Sequence, residues 1–102
     1  MHLKCINEIT YLKRKIMPEI SRFFGMIVFM YWDEHNPPHF HVKYGSQQAI
    51  INIRTLEIIE GKLNRRAAEL VLDWAELHKI ELLENWDKCI LKQTPNKIEP
   101  LN

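Results

Sequence analysis

The segment HFHVKYG, residues 39–45, constrains this chain most. Following Pro37 and Pro38, it alternates without interruption: Phe40, Val42 and Tyr44 point one way, and His39, His41 and Lys43 the other. Period two is the pattern of a half-buried strand. Gly45 and Ser46 supply a tight turn, and Gln48 to Arg54 returns with Ala49, Ile51 and Ile53 on one face, so a β-hairpin is expected.

The run FFGMIVFMYW before it is apolar on both alternating faces and reads as a central strand from Arg22 to Trp32, covered on both sides. It is too short to span a bilayer. Asp33 to Pro38 is polar and proline-containing and makes a turn. A fourth strand is expected from Leu56 to Glu60. Asn64 is placed to cap a long helix in which Ala67, Leu70, Val71, Trp74, Leu77 and His78 form an apolar stripe. The stripe slips by a residue near Lys79 and resumes at Leu82, Leu83, Trp86 and Ile90, which predicts a bend or break there and helix to about Lys92. Cys5, Ile9, Leu12 and Ile16 recur at helical spacing until Pro18 stops them.

The expected fold class is therefore α+β: an antiparallel three- to four-stranded meander followed by a long, bent C-terminal helix, with a short N-terminal helix. Residues 1–16 form an N-terminal extension, 17–94 a single domain, and 95–102 a frayed tail. With 102 residues, 46% of them hydrophobic and 26% charged, the chain has the balance of a globular domain rather than a disordered or membrane protein. A formal net charge of +1 gives no global pull on nucleic acid, so any such binding must come from local clusters. Cys5 and Cys89 lack CxxC spacing and no secretory pattern precedes them, so reduced thiols and a cytoplasmic location without membrane contact are expected.

Chemistry concentrates in WDEHNPPHFHV, where three imidazoles and two carboxylates crowd a proline-stiffened turn. Strand alternation sends His39 and His41 out together, opposite Phe40 and Val42. With a third donor from His35, Asp33 or Glu34, the pair could hold a divalent metal; His35, His39 and His41 are the histidine set. Alternatively, the two imidazoles could exchange protons with RNA, one accepting the 2′-hydroxyl proton and the other protonating the leaving oxygen, with no metal or cofactor. The third reading is a solvated strand face.

Arg65 and Arg66 occupy the first turn of the long helix, where the macrodipole disfavours cations and an anion would relieve the conflict; offset by Glu69 is the alternative. Arg54, at the end of the third strand, is a candidate to steady a phosphate beside the histidines, and Arg22 and Lys43 are further candidates for RNA contact. Trp74 and Trp86 belong to the core stripe, whereas Tyr31 and Trp32 could stack a base or pack.

In MPEISRFFGMIVFMYWDEHNPPHFHVKYG, INIRT, GKLNRRAAELVLDWAELHKIELLENW and KIEP, the chain resembles the bacterial domain-of-unknown-function family 4160. The resemblance covers nearly everything after residue 16 and is sharpest in PPHFHVKYG and WAELHKIELLENW. It implies a toxin-like component of a compact gene pair, beside a small antitoxin-like partner protein. By position it points to His35, His39, His41, Arg54, Arg65 and Arg66. Relatives tend to begin at the position of Met17, and they often carry Gly where Leu56 stands and Pro where Asn64 stands.

The leading expectation is a small bacterial toxin-like protein acting on RNA as a metal-independent ribonuclease, with His39, His41 and Arg54 catalytic and Arg22, Lys43, Arg65 and Arg66 binding RNA. The alternatives are a non-enzymatic module that buries apolar sheet surface against a small partner or a second copy of itself, and a His-ligated metal-binding protein.

Overall fold

The run FFGMIVFMYW folds as a hairpin rather than as one central strand. In the computed structural model, which describes residues 18–32 and 34–102, β1 (Glu19–Phe23) and β2 (Met26–Phe29) pair antiparallel with Phe23 opposite Met26. Phe24 and Gly25, at φ 49° and 80°, form the two-residue loop between them. Two positive φ values in succession match the right-handed twist of the flanking strands. Phenylalanine is an unusual residue for that position, and its ring is 54% exposed. A Cβ on Gly25 would lie 3.2 Å from the Tyr44 ring, a second reason for glycine there.

The remaining strands run as a meander: β3 (His39–Tyr44), β4 (Gln47–Asn52) and β5 (Ile58–Gly61), giving a five-stranded sheet in sequence order, antiparallel throughout. The Gly45-Ser46 turn joins Tyr44 to its partner Gln47, as the sequence predicts. β4 stops at Asn52, two residues short of the expected end. There the Asn52 side chain accepts hydrogen bonds from the Arg54 and Thr55 amides, at 2.8 and 3.1 Å, and turns the chain. Leu56 sits in this turn at φ 60°, a left-handed conformation that favours glycine.

Two helices follow, α1 (Arg65–Leu77) and α2 (Lys79–Ile90), with the break at His78 falling where the slip in the stripe predicts a bend or break. Asn64 caps α1, its side chain accepting from the Ala67 amide at 2.8 Å. Asn64 is itself tied to the sheet by its amide, which donates to the Gln47 side chain.

The core lies between α1, α2 and one sheet face. Val28, Phe40, Val42, Ala49 and Ile51 from the strands meet Val71, Trp74, Leu82 and Trp86 from the helices. Trp74 is fully buried, with its ring 5.2 Å from Phe23 and 6.0 Å from Phe40. Its indole N–H donates to the Glu99 carbonyl at 2.8 Å.

That bond belongs to a segment expected to fray. Instead, Ile98 is buried and its amide donates to the Ile20 carbonyl on β1, while the buried Asn85 side chain bonds both the amide and the carbonyl of Asn96. Residues past Pro95 thus cover the β1 edge without a period to betray them. The short helix expected over 1–16 lies outside the described residues. Among the described residues, no helix is long and apolar enough to cross a membrane.

Candidate functional site

Register sets His39 opposite Asn52 and places the other charged and titratable residues of the second sheet face in two rows. Phe29, His41, Ile50 and Glu60 are successive cross-strand neighbours, and Arg22, Ile27, Lys43 and Gln48 form the adjacent row. His39 and His41 point away from Phe40, as alternation requires. They do not face water. The His41 ring stacks on Phe29 at 5.2 Å and meets Tyr31 at 4.8 Å. At the end of β3, Trp86 of α2 closes on His39 at 5.0 Å, leaving it 8% exposed.

Between the two imidazoles stands Glu34. One of its oxygens, Oε1, lies 3.0 Å from His39 Nε2 and 2.7 Å from His41 Nε2. The loop that delivers it contains a cis Asn36–Pro37 bond, and the Pro37 carbonyl accepts from His39 Nδ1 at 2.8 Å. This last bond sets the chemistry. With Nδ1–H given to Pro37, a neutral His39 would aim its Nε2 lone pair at a carboxylate oxygen, which is repulsive. Only a proton on Nε2 or a cation shared between the groups makes the contact favourable.

Electrostatics agree. Burial opposes the Glu34 charge, but hydrogen bonds from His39 and His41, and their charge, outweigh it and hold the carboxyl at about 2. Burial likewise opposes protonation of His39, yet its bonds to Glu34 and Pro37 and the charges of Glu34 and Glu60 raise its pKa above the ordinary value.

Glu34, His39 and His41 each offer one ligand atom, all within 4.8 Å of one another. Zinc binds imidazole nitrogen at roughly 2.0–2.1 Å, so tetrahedral ligands sit about 3.3 Å apart, and side-chain shifts on the order of an ångström would bring these three atoms to that spacing around an ion. The Nδ1–carbonyl bond of His39 is the outer contact that metal-bound histidines commonly make. His35, the third histidine considered for such a set, is exposed and stands outside the cluster; its neighbour Glu34 turns inward instead.

The other candidates divide by position. Arg22 and Lys43, both exposed, lie in the row beside His41, Arg22 also pairing with Glu19 at 2.8 Å. Arg54 follows Asn52, the partner of His39, and so lies at the histidine end of the sheet, its carbonyl accepting from Lys79 at 2.7 Å. Arg65 and Arg66 do not join them. They open α1 beside Gln47, at the other end of β3 and β4, about 16 Å away at 3.3 Å per residue. There they pair with Glu69 at 3.8 and 3.9 Å. Cys89 is buried in the core, which pushes its thiol up to about 11, with the Glu34 charge adding; it is not a nucleophile.

Sheet, helices and cluster together define a small α+β protein carrying a His-x-His strand closed by a loop carboxylate. The family described as Domain of unknown function (DUF4160) matches residues 25–87, from β2 through most of α2 and across the whole cluster, and the chain belongs to that family. No curated protein and no solved structure matches it.

Proposed function

We propose that the protein binds one divalent transition-metal ion through Glu34, His39 and His41 and uses that site on the phosphodiester backbone of RNA. The observation that carries this reading is the convergence of three ligand atoms on one point, with His39 oriented by the Pro37 carbonyl. Two histidines and a carboxylate leave coordination positions open, where an ion can polarise a phosphoryl oxygen or lower the pKa of a bound water to about 7. Metal-free acid–base cleavage is supported less well, since both ring nitrogens of His39 are already engaged.

Support for RNA comes from the exposed Arg22 and Lys43 in the row beside His41, and from the family's resemblance to toxin-like components. Protein purified without chelator is expected to bind one equivalent of Zn²⁺, Mn²⁺ or Ni²⁺ by titration calorimetry. His39→Ala or His41→Ala should weaken that binding by more than about 100-fold, because outer contacts alone are commonly worth roughly 10–100-fold. Total RNA incubated with wild type should degrade, and chelator should stop it. Absence of stoichiometric binding for all three metals sinks the site, and degradation indifferent to both chelator and the double mutant sinks its role.

A partner-binding reading has its own observation. β5 is an edge strand exposed along its length, with Ile58 and Ile59 turned to solvent, and such an edge invites an added strand. Co-expression with the product of the adjacent gene is expected to yield a complex that survives size exclusion and that Ile59→Lys disrupts. A complex indifferent to that change would exclude β5 as the surface.

A further inference from the structure

Beside the cluster, Tyr31, His41, Gln48, Ile50, Glu60 and Gly61 line a cleft of about 260 Å³ over the second face of the sheet. That is below the roughly 300–1,000 Å³ usual for drug-sized ligands, so a single flat ring system is the natural occupant. His41 belongs to both the cleft and the cluster. Whatever the cleft holds therefore lies next to the proposed metal.

We infer that this cleft holds one unpaired base of RNA, guanine in preference to uracil, with the attached backbone reaching Glu34, His39 and His41. The inference rests on the RNA reading above and names the nucleotide that the site selects.

The lining argues for it residue by residue. Tyr31 and His41 meet edge-to-face with ring centroids 4.8 Å apart, and His41 is already stacked on Phe29, so the Tyr31 ring is the face on which a base can stack. Ile50, between His41 and Glu60 in the same row, gives an apolar floor.

Glu60 decides among the bases. An ionised carboxylate only accepts hydrogen bonds, and it binds best where two donors lie side by side. Guanine presents such a pair, its ring N–H and exocyclic amine, whereas uracil presents one N–H flanked by two carbonyl oxygens that a carboxylate repels. Gln48, across from Lys43, can donate its amide N–H to the guanine carbonyl. Lys43 and Arg22 follow in the same row, where the phosphates on either side of the base would run.

The test uses guanosine and uridine 5′-monophosphates, titrated by calorimetry into the full chain in chelator, so that the result does not depend on metal. Wild type is expected to bind the guanine nucleotide at least 10-fold more tightly. Glu60→Gln should bring the two within about 3-fold of each other while keeping the fold by circular dichroism. Tyr31→Leu should weaken both alike. Equal affinities in wild type, or a preference that survives Glu60→Gln, would overturn the inference. Zn²⁺ titrations of the same proteins, dialysed free of chelator, separate it from the metal reading: zinc bound without base preference fails the cleft alone, and base preference without zinc binding fails the metal site and leaves the cleft standing.

Discussion

Trp74→Ala is expected to lower stability by about 3–5 kcal/mol, the usual cost of removing a large aromatic from a packed core. For a domain of this size that is a large share of the whole, since small domains are held by roughly 5–15 kcal/mol. Trp74 joins three parts of the fold: its ring packs on Phe23 of β1 and Phe40 of β3, and its indole N–H holds the Glu99 carbonyl of the C-terminal segment. Alanine would leave a cavity at the centre of the helix–sheet interface and an unpartnered carbonyl at its edge. Urea denaturation followed by circular dichroism should show the midpoint collapse, whereas Leu77→Ala, at a side chain 71% exposed, should move it little. A midpoint unchanged in Trp74→Ala would mean that the core is organised around other residues.

The stripe containing Trp74 was readable from sequence because helical spacing marks it, and so was the slip at Lys79 that becomes the break at His78. The β3–β4 hairpin was equally legible, since alternation and the Gly45-Ser46 turn agree on one register. The first hairpin was not. Its turn is Phe24-Gly25, and a phenylalanine at positive φ inside an apolar run sends no turn signal, so two strands read as one and the meander came out at three to four strands rather than five. The C-terminal segment was missed for a similar reason. Ile98, the paired bonds of Asn85 to Asn96, and the Trp74 bond to Glu99 hold it through contacts with no periodicity.

Within the site, alternation placed His39 and His41 on one face but could not show what covers that face. Trp86 approaches from a helix more than forty residues downstream of His39, and Phe29 and Tyr31 approach from the neighbouring strand and its exit. The choice between Glu34 and His35 was beyond the sequence too. Neighbouring loop residues point in different directions, and only the path through Pro37 decides which turns inward.

Glu34→Gln should show what that carboxylate holds together. In metal-free protein kept in chelator, the Glu34 pKa falls from 4.5 to about 2 on folding, and at about 1.4 kcal/mol per unit this corresponds to about 3 kcal/mol of stability. A depressed carboxyl stabilises the fold above its unfolded pKa and loses that contribution as pH drops, so wild type should weaken steadily from about pH 4.5 toward 2. His39 runs the other way. Its pKa is raised above 6.5, so its contribution is complete below 6.5 and fades as pH climbs through the folded value. Both describe the same contacts and are counted once, and they leave a plateau between about pH 4.5 and 6.5. Glutamine keeps the shape but not the charge: its oxygen can still accept from one imidazole, while the other loses its charged partner. The variant is expected to be less stable by about 2–3 kcal/mol at pH 6, with the acid slope flattened and His39 titrating lower. Thermal melts across pH 2–9 read both limbs, and a histidine C–H titration by NMR assigns the upper one. Parallel curves for wild type and variant would show that Glu34 does not bridge the two histidines in solution, and with that the geometry on which the metal site depends would be lost.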